Sequence, residues 1–202
     1  MASYTLFFNP MSRALIATWA FAEASVEPKL VMVEWDNKPD ALLTANPMGK
    51  LPTIIHHADF GDRVVSEAAA VCHYLAEMDA PDLLPTPEEK ADYFRWLFFA
   101  AGPVESAVSN KAMGWEPKDA KQEGTVGFGS FDRTIGTLDG HFADNDYVCG
   151  DRFTMADVYV GSHVDWGLNF GTIPALDNLK AYQERLQARD GYKASMGAIP
   201  TG

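Results

Sequence analysis

The sequence predicts an α/β domain over residues 1–80, followed by an all-α domain over residues 88–202. Strand-like and helix-like hydrophobic patterns alternate through the first of these segments. Residues 81–87 then hold three of the chain's 12 prolines, a composition typical of a linker. Beyond the linker, apolar residues keep a helical spacing and strand-like alternation nearly disappears. The chain has 202 residues, 47% of them hydrophobic, which suits one large domain or two modest ones with a sizeable core.

The α/β domain is expected to follow the order β-α-β-α-β-β-α. Aromatic and β-branched residues at 4–8 predict a strand that stops at Asn9-Pro10, and i,i+4 apolar pairs predict the helix that follows. The predicted strands cover residues 4–8, 29–34, 52–57 and 63–65, and the predicted helices cover residues 12–23, 36–45 and 66–78. A helix between the first two strands implies a parallel crossover, whereas the tight turn before the fourth strand implies an antiparallel hairpin. The expected product is a small mixed sheet with helices on its faces.

The all-α domain is expected to contain four main helices. They are predicted at residues 88–113, 128–142, 155–170 and 176–188. Gly102-Pro103 predicts a kink in the first of them. At the start of the third, Thr154 is expected to cap the helix while Asp157 reaches back three residues, and Phe153 is expected to pack on Val158. This last motif predicts structure and not catalysis.

Charge and composition exclude several classes of protein. The chain has 16 Lys+Arg against 28 Asp+Glu, a net charge of −12, and no basic stripe that would neutralise the phosphates of a nucleic acid. No apolar run approaches the ~18 residues of a membrane span. The N-terminus lacks the basic region and apolar stretch of a secretory signal, so a cytoplasmic location is expected. Cys72 and Cys149 are too few for a disulfide framework or a zinc site, and His56-His57 has no third ligand nearby, so no metal is expected.

Residues 9–13 and 46–52 combine residue types that bind ligands. The first segment joins the first strand to the first helix, where open α/β sheets place ligands, and Ser12 is either a helix cap or a hydroxyl aimed at an anion. In the second segment, Pro52 opens a strand although it cannot donate a ladder hydrogen bond. Either a trans proline begins the strand, or a cis Leu51–Pro52 bond turns the preceding main chain toward an extended ligand.

A third segment of this kind lies at Ser66-Glu67, where the last helix of the α/β domain is expected to begin. The two residues either cap that helix or bind the carboxylate and ammonium of an α-amino acid head group. A chain with this net charge needs a locally positive site, such as a helix N-terminus with basic residues, if it is to hold an anionic ligand.

Taken in order, these segments resemble the glutathione S-transferase superfamily. The resemblance rests on NPMSR at residues 9–13, NPMGKLP at residues 46–52 and VSEA at residues 65–68, with FTMADV at residues 153–158 resembling the capping motif of the family's buried C-terminal-domain helix. It covers essentially the whole chain. It implies a thioredoxin-like N-terminal domain, a helical C-terminal domain and a homodimer.

The resemblance also implies a site for glutathione, with no metal. It implies that Leu51, through a cis Pro52, pairs with the cysteinyl part of the tripeptide. Ser66 and Glu67 correspond to the family's γ-glutamyl site, and Lys50 is expected to bind the glycyl carboxylate.

The residue that activates the thiol is assigned to Ser12, with Asn9 as the alternative. Family members use Tyr, Ser or Cys near the first helix, and residues 9–13 contain no Tyr or Cys. Arg13 is expected to add positive charge to the site. The implied activity is attack of the glutathione thiolate on a small hydrophobic electrophile or a peroxide. Two alternatives stay open: a glutathione-dependent isomerase, peroxidase or dehalogenase, and a binding or regulatory protein that keeps the fold without catalysis.

Overall fold

The computed structural model describes residues 3–196. The chain forms two compact units, one made of the residues up to Leu84 together with the segment from Ala188 onward, and the other of Pro85–Gln187. The break after Leu84 falls within residues 81–87. The described residues from Ala188 to Met196 group with the first unit, whereas the sequence analysis placed all of residues 88–202 in the all-α domain.

The first unit contains a four-stranded mixed sheet, which confirms the predicted fold class. Its strands are β1 (Tyr4–Phe8), β2 (Lys29–Met32), β3 (Thr53–Ala58) and β4 (Gly61–Ser66), in the spatial order β2-β1-β3-β4. β2 runs parallel to β1, and β3 runs antiparallel to both β1 and β4. The crossover and the hairpin are therefore as expected.

Three helices lie between or directly after these strands along the chain: α1 (Ala14–Glu23), α2 (Asp40–Ala45) and α3 (Ala68–Asp79). α1 contacts α3 and β1, and it buries Ile16, Trp19 and Phe21. The short helix α2 contacts β3 and supplies Leu42 to a fully buried cluster with Phe7 and Val33. The helices thus pack against the apolar side chains of the sheet.

The second unit is helical throughout its described elements. Its helices are α4 (Lys90–Phe99), α5 (Glu105–Met113), α6 (Ala120–Thr125), α7 (Phe131–His141), α8 (Met155–Asn169) and α9 (Asp177–Gln187). The predicted kink is a π-helical turn at Ala100–Val104, which contains Pro103 and separates α4 from α5. Within residues 3–196, no helix has the length and apolar character needed to cross a membrane.

The start of α8 is the most densely bonded helix end in this unit. Thr154 and Asp157 form the predicted capping box, in which the Asp157 carboxylate accepts the Thr154 N–H at 2.8 Å. The same carboxylate accepts the Val148 N–H at 2.7 Å and the Tyr182 hydroxyl at 2.9 Å, which ties α8 to the preceding loop and to α9. Burial raises the pKa of Asp157 to about 6, against the opposing effect of these donors.

A last helix, α10 (Asp190–Ser195), packs against α1. Arg189, just before it, donates to both carboxylate oxygens of Glu23, at 2.9 and 2.7 Å, and the Trp19 indole N–H donates to the same carboxylate at 2.9 Å. A Cβ atom on Gly191 would lie 2.6 Å from the Glu23 side chain, so a larger residue there would displace the Glu23 carboxylate from its bonds to Arg189 and Trp19. The Tyr192 ring completes the contact edge-on to Trp19, at a centroid distance of 5.2 Å.

Candidate functional site

The three ligand-binding segments expected from the sequence meet at one end of the sheet. Asn9 lies directly after β1, and Phe7 within β1 pairs with Thr53, the residue after Pro52. Thr53 also pairs with Ser66 at the end of β4. Because β3 lies between β1 and β4, this register brings the start of the first segment, the end of the second and the start of the third side by side.

The first segment is held by Asn9. The Asn9 side-chain N–H donates to the main-chain oxygen of Val33 at 2.8 Å, and its side-chain oxygen accepts the Met11 N–H at 2.8 Å. Val33 is itself bonded to the end of β1, since its N–H donates to the Phe8 oxygen at 2.8 Å. The loop between β1 and α1 is therefore fixed to the end of β2 by one side-chain amide.

Ser12, the expected catalytic residue, sits in this loop with its hydroxyl already bonded. The hydroxyl donates to the main-chain oxygen of Asn9 at 2.7 Å and accepts the Ala14 N–H at 3.1 Å. Arg13 occupies the N-cap position of α1 with an exposed side chain, and it makes no side-chain capping bond. Ser12 thus satisfies a donor at the start of α1, and it can donate to a ligand only when its proton turns away from Asn9.

The second segment contains a cis Leu51–Pro52 bond, as expected from the resemblance. Asn46, which is 7% exposed, shapes the loop before it: its side-chain N–H donates to the Thr53 hydroxyl at 3.0 Å, and its side-chain oxygen accepts the Met48 N–H at 3.1 Å. β3 starts only at Thr53, so the half-buried Leu51 precedes the ladder and its main chain stands at the end of the sheet.

Two lysines flank this loop, and the sequence motifs indicate only Lys50. Lys50, which directly precedes Leu51, is exposed. Lys38, which no motif indicated, donates from its ammonium to the Gly49 oxygen at 3.0 Å. Gly49 has φ of +57°, and a Cβ atom there would lie 3.3 Å from the Lys38 nitrogen. The approach of Lys38 depends on this tertiary packing, so nothing in the local sequence could have revealed it.

In the third segment the structure excludes one of the two roles considered for Ser66, that of a helix cap. Ser66 is the last residue of β4, because its pairing with Thr53 extends the strand, and α3 begins only at Ala68. Glu67 takes the N-cap position with φ of +67° and makes no side-chain capping bond. The first main-chain bond of the helix runs from the Val71 N–H to the Glu67 oxygen at 2.9 Å. The first turn of α3 thus begins without the Ser66 cap that the sequence suggested.

Other nucleophilic or metal-binding groups are engaged elsewhere. The Tyr4 hydroxyl donates to Asp79, and burial raises its pKa. His56 stacks on the Tyr4 ring at 4.2 Å and bonds to the Tyr74 hydroxyl at 2.8 Å. Burial also raises the pKa of the Cys72 thiol and takes the pKa of Cys149 to about 12. Among residues 3–196, no group of three or more His, Cys, Asp or Glu side chains is arranged to hold a metal ion.

The arrangement suits an extended, anionic ligand that also carries an ammonium group. Arg13 brings a positive charge to the first segment, and Lys38 and Lys50 bring two to the second, although the whole chain carries a net charge of −12. Glu67 supplies one exposed carboxylate. The N-termini of α1 and α3 both open toward this set of loops, and helix N-termini favour anions.

Comparison with known proteins gives two family matches. Residues 11–78 match the model of the glutathione S-transferase N-terminal domain, and residues 105–166 match that of the glutathione S-transferase C-terminal domain. The first match spans all three ligand-binding segments except Asn9-Pro10. The second spans α5 to α8 except for the last residues of α8.

Individual relatives agree with these matches along most of the chain. Glutathione S-transferase 3 of Zea mays is 24% identical, over 99% of this chain and 96% of that protein. A theta class glutathione S-transferase from Xanthomonas axonopodis pv. citri, solved with glutathione bound, is 25% identical with a TM-score of 0.78, over 98% of this chain and 99% of that one. Elongation factor 1-gamma 1 of Oryza sativa is 27% identical over 65% of this chain, but only 31% of that protein is covered.

Proposed function

Because this chain belongs to the glutathione S-transferase superfamily, we propose that it binds glutathione and activates the thiol for attack on a small hydrophobic electrophile or a peroxide. The observation that carries the proposal is the register Phe7–Thr53–Ser66, which gathers the three ligand-binding segments at one end of the sheet. Glutathione is an extended tripeptide with two carboxylates, an ammonium and a thiol, so it matches the charges and main-chain groups found there.

The three parts of glutathione are assigned to three parts of the site. The γ-glutamyl carboxylate lies at the N-terminus of α3 beside the Ser66 hydroxyl, and its ammonium pairs with Glu67. The cysteinyl main chain pairs with Leu51 at the cis proline. Lys50 binds the glycyl carboxylate, with Lys38 as a second ammonium on the same loop.

Thiol activation is assigned to Ser12 and the N-terminus of α1. A hydrogen bond to the thiolate is worth about 1.5–3 kcal/mol, and freeing the hydroxyl from Asn9 costs about 0.5–1.5 kcal/mol. The helix dipole adds about 0.3–1 kcal/mol. The net of about 2 kcal/mol lowers the thiol pKa from about 8.5 to about 7, so roughly half of the bound thiol is ionised at neutral pH.

The second candidate is a protein that binds glutathione without catalysis. It is favoured because the Ser12 hydroxyl is bonded to Asn9 at 2.7 Å, and the cost of breaking this bond reduces the expected lowering of the thiol pKa. The likeness to part of an elongation factor points the same way. In this candidate glutathione binds with its thiol pKa unchanged. Measuring that pKa therefore separates the two candidates.

We also assign a homodimer in the cytoplasm, following the family. The exposed rings of Phe94 and Phe98 stack along α4 with centroids 6.4 Å apart, and such rings gain from being covered by a partner. Light scattering after size-exclusion chromatography would report the mass, and a monomer at micromolar concentration would contradict the assignment.

The deciding experiment is calorimetric titration with reduced glutathione, followed by an ultraviolet pH titration of the bound thiol. We expect saturable binding and a thiol pKa near 7. Turnover with a chlorodinitrobenzene and with an organic hydroperoxide then identifies the type of acceptor. An absence of binding heat at several temperatures, with intact circular dichroism, would refute the proposal. Binding with an unshifted thiol pKa would favour the non-catalytic candidate.

A further inference from the structure

The side chain of Asn9 joins the loop after β1 to the residue that follows β2. Its amide donates to Val33 at the end of β2, and its oxygen accepts the N–H of Met11 within the loop. Both bonds measure 2.8 Å, which is ideal for N–H···O geometry. Val33 is 1% exposed, so the amide is tied to a buried part of the unit.

The main-chain oxygen of the same residue receives the Ser12 hydroxyl at 2.7 Å. With the Ala14 N–H donating to that hydroxyl at 3.1 Å, the oxygen atom of Ser12 is held from two sides until its proton turns to the sulfur, and by the Ala14 N–H and the loop main chain thereafter. A hydroxyl that accepts one hydrogen bond becomes a better donor in the next. The location of the Ser12 oxygen therefore depends on where Asn9 holds the loop.

We propose that Asn9 is a positioning residue that acts through Ser12, and not a donor to the sulfur; the inference rests on the proposed thiol activation by Ser12. The side-chain bonds to Val33 and Met11 set the loop, and the loop sets the hydroxyl. Losing the amide lets the Ser12 oxygen drift from the sulfur, which weakens their hydrogen bond and raises the thiol pKa.

A double-mutant cycle tests this dependence, because residues that act through one another give non-additive effects. The variants are Asn9→Ala, Ser12→Ala and the double variant. Each is measured for glutathione affinity by calorimetry, for the pKa of the bound thiol by ultraviolet titration, and for thermal midpoint. Asn145→Ala is the matched control, since its amide likewise donates to a main-chain oxygen, that of His141 at 2.8 Å, but in the other unit.

We expect Asn9→Ala to raise the pKa of the bound thiol by about half a unit to one unit, which from a native pKa near 7 is a roughly two- to fivefold loss of thiolate at pH 7. In the Ser12→Ala background the same substitution should leave the thiol pKa unchanged. Asn145→Ala should leave it unchanged in the native background. Affinity should change less than thiol pKa, because the carboxylate subsites are intact.

Three results would overturn the inference, and each has a different meaning. Additive pKa changes in the double variant would show that Asn9 acts on the thiol independently of Ser12. A lowered thermal midpoint with an unchanged thiol pKa would show a purely structural role, and Asn9→Ser, which keeps an acceptor for Met11, would then restore the midpoint. A native protein that binds glutathione without lowering its thiol pKa, or does not bind it, would refute the proposed function and remove the basis of the inference.

Discussion

Replacing Arg189 with alanine should release α10 from α1 and destabilise the first unit. The Glu23 carboxyl side chain is only 7% exposed, and in the native chain it is neutralised by a two-pronged bond from Arg189. After the substitution it keeps the Trp19 indole N–H as a donor but loses its counter-charge. Breaking a buried ion pair in this way costs about 3–5 kcal/mol. Because 29% of the Arg189 side chain is exposed, the lower end, about 3 kcal/mol, is expected.

The assay combines urea unfolding with hydrogen exchange read by mass spectrometry. Hydrogen exchange reports directly on α10. The Lys193 N–H is bonded to the Arg189 oxygen at 3.1 Å, so it should lose protection when α10 detaches. Gly191→Ala is a second route to the same state, because its Cβ would collide with Glu23. Lys193→Ala is the control: its ammonium lies 3.8 Å from an exposed Asp190 carboxylate, a pair worth about 0.5 kcal/mol or less.

Equal stability and equal protection of Arg189→Ala and Lys193→Ala would contradict a stabilising role for the ion pair. That result would mean that the Glu23 carboxylate is hydrated in solution, or that the apolar contact of Tyr192 with Trp19 holds α10 without the ion pair. Thermal unfolding of a Glu23→Gln variant would distinguish these two, because an amide removes the charge and keeps the shape.

Three further predictions concern other sites. Glu67→Ala should weaken glutathione binding about tenfold or more by leaving the ligand ammonium unpaired, whereas Glu77→Ala on the same helix should not, and equal calorimetric affinities would remove Glu67 from the site. Asp157→Asn should lower the free energy of unfolding at pH 7 by only about 1 kcal/mol, since an amide cannot accept from all of the donors around it but also removes a charge that burial disfavours; urea stability equal to or above that of the native chain would contradict this. The Arg152 guanidinium holds the pKa of Glu89 below its usual range, so the bond stabilises the fold above about pH 4.5 and is lost as pH falls through the folded pKa. Glu89→Gln should therefore be less stable than the native chain at pH 7 and approach it on acidification, and a difference that stays constant down to pH 3 would argue against the pair.

The fold was accessible from sequence because its signals are local. Aromatic and β-branched residues mark β1, a helical stripe marks α7, and the pair Thr154 and Asp157 marks the start of α8. The π-helical turn at Pro103 was visible for the same reason, since proline disturbs a helix wherever it stands.

The details of the site depended on pairing between distant segments, which local patterns do not contain. Ser66 has the chemistry of a cap, but its ladder partner Thr53 draws it into β4 and moves the helix start to Ala68. A positive φ at Glu67 has no sequence signature, because residues other than glycine seldom adopt it. Lys38 reaches the second segment only through the fold, and Ser12 could be recognised as a hydroxyl but not as one already bonded to Asn9.

The high thiol pKa values of Cys72 and Cys149 should protect the protein from chemical modification by its proposed substrates. Alkylating agents and peroxides attack thiolates, and both side chains stay protonated far above neutral pH. These are the only two cysteines in the sequence, and both are free. The protein therefore has no easily ionised cysteine with which a reactive compound could combine. It should resist inactivation by its proposed substrates, because they react with the thiol of the bound tripeptide instead. Incubation with iodoacetamide at neutral pH, followed by intact-mass measurement, should leave the native chain unmodified.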